Sequence, residues 1–214
     1  MLPSQEADPR VFWHPPKIWT GGTAFIIGGG PSLKNFDWGL ISSEKIIGIN
    51  DAYRLGPFID FNCFGDTAWY RKHQGDLKYA TATIVGITAQ PLLKKNHSSV
   101  KWMRRQQRHY TDAPGEIGWY NNTGMSGICL AIQLGATKIR LLGFDMKLDG
   151  ETGENNWHIN KINSPNAGVY PRFMAGGRKL KNQLDELHPE VEILNCNPDS
   201  AMDVWPKVRL EDVL

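Results

Sequence analysis

The chain has 214 residues, a length that suits one sizeable domain because single cores grow to about 200 to 250 residues. Its 24 Lys and Arg residues nearly balance its 22 Asp and Glu residues, so the overall charge gives no signature of nucleic-acid or membrane binding. The three cysteines are far apart and lack CxxC spacing, which argues against a disulfide framework and a zinc site. The sequence shows no membrane span and its N-terminus MLPSQEADPR is unlike a signal peptide, so we expect a cytoplasmic protein; the oligomeric state is not indicated.

Six short segments are predicted to be buried strands, because each combines apolar or β-branched residues and is bounded by Gly, Asn or Asp. In chain order they are TAFIIGG (23–29), KIIGIND (45–51), DFNCFGD (60–66), ATIVGIT (82–88), KIRLLGFD (138–145) and VEILNC (191–196). Helices are predicted at 124–136, which is rich in small apolar residues, and at 175–189, which is amphipathic and stopped by Pro189. Strands that alternate with helices predict an α/β domain with a mostly parallel sheet.

The glycine-rich turn GGGPSL (28–33) directly follows the first predicted strand. Ligands of open parallel sheets bind at the carboxyl ends of strands, and glycines allow backbone N–H groups to approach an anion closely. The turn lacks the GK[ST] of a P-loop and the GxGxxG spacing of a dinucleotide site. A phosphate-binding turn and a plain tight connection therefore remain alternatives.

Three further strand ends carry polar residues: Asn50 with Asp51, Asp66, and Asp145. An asparagine can contact a base or ribose, and an aspartate can accept from hydroxyls or hold a cation. Helix caps and turns use the same residue types, so that structural role is the alternative for each of them. Several such ends on one edge of the sheet favour a ligand site.

A second polar turn, NNTGMSG (121–127), precedes the helix of small residues. Thr123, Gly124, Ser126 and Gly127 could form a second contact to an anion or a sugar. The alternative is an ordinary Thr or Ser helix cap followed by close packing of the helix on the sheet.

The stretch KKNHSSVKWMRRQQRHY (94–110) is the one strong run of positive charge. A solvated helix or a mobile lid is one interpretation, since like-charged runs usually face solvent. The other is a lid over donor phosphates within 94–112, or a track for an anionic acceptor with Trp102 stacking on a ring. A nucleic-acid acceptor is possible on this basis but is not favoured.

These motifs together carry a resemblance to one superfamily. The resemblance covers residues 22–214 and leaves 1–21 as an N-terminal extension. The segments that resemble the superfamily's ordered motifs are FIIGGGPSLKNFDW, IGIND, FGD, NTGMSGICLAIQLGATKIRLLGFDM and LNCNPDSAMDVWPKVRLEDVL. The superfamily contains the bacterial family-42 sialyltransferases, the motility-accessory flagellin glycosyltransferases and the archaeal 6-hydroxymethylpterin pyrophosphokinase, and is known as the domain-of-unknown-function-115 group. The resemblance implies a single Rossmann-like α/β domain that uses a nucleotide donor.

The resemblance also implies site residues. The family's turn at the donor phosphates corresponds to Gly28, Gly29, Gly30 and Ser32, and its donor-contacting asparagine corresponds to Asn50. Its nucleotide-contacting turn corresponds to Thr123, Ser126 and Gly127. Its G-x-D strand end corresponds to Gly143 and Asp145. His158 lies in the stretch that corresponds to the sialyltransferase general base, and a histidine suits that role because its ordinary pKa is near 6.5. The sialyltransferase segment carries additional tyrosines and histidines, and their nearest equivalents in this sequence are Tyr170 and Arg172.

The expected function is therefore a nucleotide-dependent transferase. The preferred interpretation is glycosyl transfer from a nucleotide sugar, preferably a CMP-sugar, to a small-molecule or glycan acceptor. One alternative is an ATP-dependent pyrophosphokinase of a small alcohol, with Mg²⁺ held by Asp66 and Asp145. The other is a catalytically inactive nucleotide-binding or structural protein.

Overall fold

The computed structural model describes residues 12–89, 99–158 and 166–214. Its centre is one open sheet of eight parallel strands in the order β6-β5-β4-β3-β2-β1-β7-β8. The strands are β1 Thr23–Ile27, β2 Lys45–Ile49, β3 Phe61–Phe64, β4 Thr83–Thr88, β5 Val100–Gln107, β6 Glu116–Trp119, β7 Lys138–Leu142 and β8 Glu192–Asn195. The predicted Rossmann-like α/β class and all six predicted strands are confirmed.

In the described part of the chain, three α-helices flank the sheet: α1 Thr67–His73, α2 Thr123–Gln133 and α3 Tyr170–Leu187. The two predicted helices are α2 and α3, and α3 begins earlier than predicted because Pro171 is accommodated in its first turn. Among the described residues, no helix is both long enough and apolar enough to cross a membrane.

The order of the strands places a switch point at β1. The chain adds β2 to β6 one after another on one side of β1, and α2 then leads it back to β7 on the other side. In open parallel sheets, ligands bind at the carboxyl ends of the strands beside such a reversal. The glycine-rich turn leaves β1 at this point.

The helix α2 is buried along its whole length, and its small residues allow it to approach the sheet. A Cβ added at Gly127 would lie 2.9 Å from Ile49 Cδ1 and 3.2 Å from Ile26 Cγ2, so a larger residue would push the helix away. On the opposite face of the sheet, a second apolar cluster forms around Phe25, Phe64 and Trp69. The site is thus carried by a sheet that is packed on both faces.

The described part of the N-terminal extension belongs to the packed structure. Phe12 and Trp19 are buried, with 7% and 5% of their surface exposed. The Trp13 N–H donates to the Trp102 carbonyl at 2.7 Å, and the Trp19 N–H donates to the Leu134 carbonyl at 2.7 Å. Residues 12–21 therefore contribute to the stability of the domain.

The basic segment contains a strand, so its interpretation as a helix is wrong for residues 100–107. Two of its three arginines make contacts within the sheet: Arg104 pairs with Glu116, and the Arg105 guanidinium lies 4.0 Å from the centre of the Trp119 ring. Inward-facing residues such as Met103, which is fully buried, give β5 its packing. Lys94 and Lys95 lie outside the described residues, and so does any lid built from residues 90–98.

Candidate active site

A cavity of about 350 Å³ lies at the carboxyl ends of the central strands. Many predicted site residues meet there: Gly28, Gly29, Gly30, Asn50, Asp66, Thr123, Gly124, Gly143, Asp145, Tyr170 and Arg172. The wall also contains residues that the sequence motifs did not predict, among them Trp119, Asn121, Met146, Lys147 and Asn156. The volume is at the lower end of the range for small-molecule sites.

Strained backbone is concentrated on this cavity. Asn50, Asn121 and Met146 have φ angles of 53°, 60° and 51°, and each follows the end of a strand. Such conformations are uncommon for residues other than glycine and cluster at functional sites. All three residues line the cavity.

The side chain of Asn50 presents an unused acceptor. Its backbone carbonyl accepts a hydrogen bond of 2.9 Å from the side-chain amide of Asn62, which holds the residue in place. Its own side-chain oxygen is buried and has no hydrogen-bond partner among the described residues. Since an unpaired buried acceptor costs about 1–3 kcal/mol, this oxygen is suited to accept from a ligand.

The glycine-rich turn is joined to the end of β7. The Gly28 N–H donates to the Leu142 carbonyl and the Gly30 N–H donates to the Gly143 carbonyl, both at 2.8 Å. A Cβ at either glycine would lie 2.7 Å or 2.6 Å from the Gly143 oxygen. Close packing against β7 therefore explains these glycines, and two of the amides expected to face a phosphate are already bonded.

Gly29 differs from its two neighbours. Its N–H has no acceptor among the described residues, and the residue lines the cavity. A Cβ at Gly29 would meet the side-chain oxygen of Asn156 at 2.7 Å, a contact that a flexible side chain can relieve. The turn thus offers one free amide to the cavity.

Asp145 holds the glycine-rich turn in place through hydrogen bonds to Ser32. Its Oδ2 accepts from the Ser32 N–H at 2.7 Å, and its Oδ1 accepts from the Ser32 hydroxyl at 2.7 Å and from the Asn197 amide at 2.9 Å. Only 2% of Asp145 is exposed. The Ser32 hydroxyl is consequently engaged by the protein and is not part of the cavity wall.

The second polar turn divides between the cavity and the core. Thr123 and Gly124 line the cavity, whereas the Ser126 hydroxyl is fully buried and donates to the Gly118 carbonyl at 2.7 Å. Gly127 packs on the sheet. The helix cap is Asn122, whose side-chain oxygen accepts from the Gly124 N–H at 2.7 Å, so the alternative of a Thr or Ser cap is wrong.

Asp51 and His158 lie together beside the cavity, but neither is part of its wall. Asp51 is 2% exposed, and its Oδ2 accepts from the Trp69 indole N–H at 2.9 Å and lies 4.0 Å from His158 Nε2. Burial lowers the pKa of His158, and the charge of Asp51 partly opposes this effect. The role of His158 as general base stays a prediction.

Positive charge gathers at the mouth of the cavity. Arg172, near the start of α3, and Lys147, in the loop after β7, are exposed and line the cavity. Tyr170 donates its hydroxyl to the Lys147 carbonyl at 3.3 Å, and burial raises the pKa of this tyrosine. Cations at the mouth suit a ligand that carries a phosphate.

Metal-ligating side chains do not converge in the same way. Within the described ranges, no three His, Cys, Asp or Glu side chains form a group that could hold a metal ion. Asp66 is exposed, whereas Asp145 is buried and bonded to Ser32 and Asn197. The carboxylate pair expected for Mg²⁺ is thus split between two environments.

Comparison with solved structures identifies proteins that share this fold. The chain is similar to a MAf glycosyltransferase from Magnetospirillum magneticum AMB-1, with a TM-score of 0.62, 16% identity, and coverage of 95% of this chain and 36% of the other. It therefore spans about a third of that protein's length.

The chain is also similar to the sialyltransferase CstII from Campylobacter jejuni. The complex of CstII with CMP-3FNeuAc gives a TM-score of 0.53 at 13% identity over 87% of this chain and 85% of that one. A single-residue variant of the sialyltransferase CST-II in complex with CMP gives 0.52 at 14% identity over 87% and 86%. No protein-family profile and no curated protein sequence matches the chain, so the likeness is one of fold.

Proposed function

We propose that this protein is a glycosyltransferase that binds a nucleotide-activated sugar, preferably a CMP-sugar, in the cavity at the end of β1. The observation that carries this proposal is that Gly29, Asn50 and Thr123 line the same cavity at the switch point of the sheet, and that Asn50 has a positive φ angle there. Support comes from a fold shared with glycosyltransferases, including structures described as complexes with CMP and with CMP-3FNeuAc.

The wall supplies groups for each part of such a donor. The free Gly29 N–H and the exposed cations Arg172 and Lys147 suit the phosphate, whose charge increases as the nucleotide leaves. The unpaired side-chain oxygen of Asn50 suits a hydroxyl of the ribose or an amino group of the base. Contacts to both the phosphate and the nucleoside fix the orientation of the donor in the cavity.

The pyrophosphokinase alternative requires two carboxylates on one Mg²⁺ ion. Asp145 already accepts three hydrogen bonds from protein groups, so it would have to give up its hold on Ser32 and Asn197 to bind a metal. The described geometry therefore favours glycosyl transfer, and magnesium becomes a variable of the test.

The test is a thermal-shift series with CMP, UDP, GDP, ADP and ATP, each with and without Mg²⁺. A ligand bound by the folded state alone stabilises it by about 2.7 kcal/mol at a concentration of 100 Kd. We expect CMP to raise Tm without metal. Stabilisation by ATP that depends on Mg²⁺ would support the pyrophosphokinase instead, and a lack of response to every nucleotide would contradict donor binding.

A matched pair of variants locates the binding. Arg172→Ala removes a cation from the cavity mouth and should weaken CMP binding about threefold to tenfold, the effect of losing one partly screened charge contact. Arg178→Ala is the control, because Arg178 is on the same helix but pairs with Asp203 away from the cavity. Equal CMP affinity in the two variants would place the nucleotide elsewhere.

A further inference from the structure

A second cavity, of about 220 Å³, lies at the carboxyl ends of β3, β4 and β5. Its wall includes the aromatic residues Tyr70 and Trp102 and the polar residues Thr67 and Arg105. Asp66 lines this cavity and also the larger one that we assign to the donor. Asp66 therefore lies at the junction of the two cavities.

The backbone around Asp66 is held in place by its neighbours. The Arg105 guanidinium donates to the Gly65 carbonyl at 2.8 Å, and the Tyr70 N–H donates to the Asp66 carbonyl at 3.0 Å. The Trp119 ring lies against Gly65 on the space that a Cβ would need. Asp66 is consequently positioned before any ligand arrives.

The side chain of Asp66, in contrast, is unused. Asp66 is the N-cap of α1, where an aspartate usually accepts a backbone N–H, yet its side chain makes no such hydrogen bond. Within the part of the chain that the structure describes, the carboxylate has no hydrogen-bond donor and no salt bridge, and the residue is exposed. Its oxygens are free to meet a ligand.

We propose that Asp66 takes the proton from the acceptor hydroxyl, and that the second cavity holds this acceptor, a hydroxyl-bearing ring such as a hexose. The inference rests on the proposed function, because it needs a sugar donor in the larger cavity. Aromatic walls with a few polar groups suit a ring with one apolar face. A hexose there has its hydroxyl beside Asp66 and faces the donor across the junction.

The transfer step balances without a metal or a further reactant. The acceptor O–H bond breaks and its proton moves to a carboxylate oxygen of Asp66. The acceptor oxygen forms a bond to the anomeric carbon, and the bond from that carbon to the phosphate oxygen breaks, with the electron pair leaving on the nucleotide. The products are the glycoside, the free nucleotide and protonated Asp66, which loses its proton to solvent.

The test compares Asp66→Asn, Asp66→Glu and His158→Ala with the wild-type chain. Release of free nucleotide is measured from CMP-, UDP- and GDP-sugars, with water alone and with added lactose, and CMP affinity is measured by titration. Asp37→Asn is the matched control, since Asp37 is also a helix N-cap but its side chain accepts from Gly39 and lies off both cavities.

We expect Asp66→Asn to lower kcat about 100- to 10,000-fold, the usual size of general-base catalysis, with CMP affinity unchanged within about twofold. Asp66→Glu should retain part of the activity, because it keeps a carboxylate beside the acceptor hydroxyl. His158→Ala should lose less activity than Asp66→Asn, and Asp37→Asn should stay within about threefold of wild type.

Three results would overturn the proposal. Normal turnover by folded Asp66→Asn removes it, and a loss confined to His158→Ala assigns the proton transfer to His158. A parallel loss of CMP affinity in Asp66→Asn would make Asp66 a donor-binding group. If wild-type protein releases no nucleotide from any donor, the proposed glycosyltransferase function itself is wrong. Should Asp66→Asn fail to fold, Asp66→Ser provides the same comparison.

Discussion

Asp66 and Asp145 end two parallel strands of one sheet in similar sequence contexts, FGD and GFD, yet the structure treats them in opposite ways. Asp145 is buried and accepts three hydrogen bonds from Ser32 and Asn197. Asp66 is exposed and its carboxylate has no such partner among the described residues. Position at a strand end thus brings a carboxylate to the site, but its neighbours decide what it does there.

The difference has a physical origin in the sheet. Asp145 follows β7, which is covered by the C-terminal residues and by the glycine-rich turn, and the donors of both reach it. Asp66 follows β3, where Gly65 and the side chain of Trp119 occupy the nearby space without offering a donor to the carboxylate. A carboxylate that stabilises the fold and one that is available for chemistry should respond differently to the same substitution.

The largest expected effect on stability is that of Asp145→Asn. The amide cannot accept from both Ser32 groups and Asn197, so donors that face this buried side chain lose their acceptor, at a cost of about 3 kcal/mol in the free energy of unfolding. Urea denaturation measures this loss. Asp66→Asn is the reference, with a change below about 0.5 kcal/mol; similar losses in both variants would remove the distinction between the two carboxylates.

A somewhat smaller effect is expected in the glycine-rich turn. Gly30→Ala places a methyl group against the Gly143 oxygen and Asp145, which should destabilise the fold by about 1–3 kcal/mol. Gly29→Ala meets only the movable side chain of Asn156, so it should remain stable within about 0.5 kcal/mol while weakening nucleotide binding at the free amide. Equal stability of the two variants would show that β7 does not hold the turn as described.

The smallest effect concerns pH. Burial lowers the pKa of His73, and of His158, below the usual 6.5 in spite of the nearby charge of Asp51. Below about pH 6.5 the unfolded chain therefore binds protons that the folded chain does not, so stability decreases as the pH falls. The slope should stay below about 1.4 kcal/mol per pH unit for each histidine.

Urea denaturation at about pH 7.5 and about pH 5.5 checks this dependence. The other charges that act on His73 are those of Arg54 and Lys72, which disfavour its protonated form, and Asp76, which favours it. His73→Gln should reduce the loss at acid pH. Stability that rises on acidification would contradict the lowered pKa of both histidines.

Much of the fold could be predicted because buried parallel strands have sequences that are short apolar runs. The six strands from TAFII to EILN follow this pattern. β5, with the sequence VKWMRRQQ, does not follow it, because Arg104 and Arg105 are typical of a solvent-exposed charged segment. In the structure, Arg104 pairs with Glu116. Arg105 lies over the Trp119 ring and donates to two backbone carbonyls. Because those partners are distant in sequence, no local pattern predicts these contacts.

The candidate site could be predicted in location but not in detail. Strand-end residues such as Asn50 and Thr123 reach the cavity because parallel strands end at one edge. Ser126 has the same signature and is turned into the core, where its hydroxyl bonds to the Gly118 carbonyl. Lys147 and Met146 lie in an irregular loop, for which the sequence has no periodic signal.

The position of β1 between β2 and β7 also shapes the order of events during synthesis. β1 leaves the ribosome early and can pair with β2 at once, but its other edge must wait until β3 to β6 and α2 have been made. The nascent chain therefore carries an open, apolar strand edge until β7 has been made, a state prone to pairing with other chains. Arrival of β7 closes this edge and supplies the carbonyls that hold the glycine-rich turn, so the cavity at the end of β1 should form at the same step as resistance to aggregation.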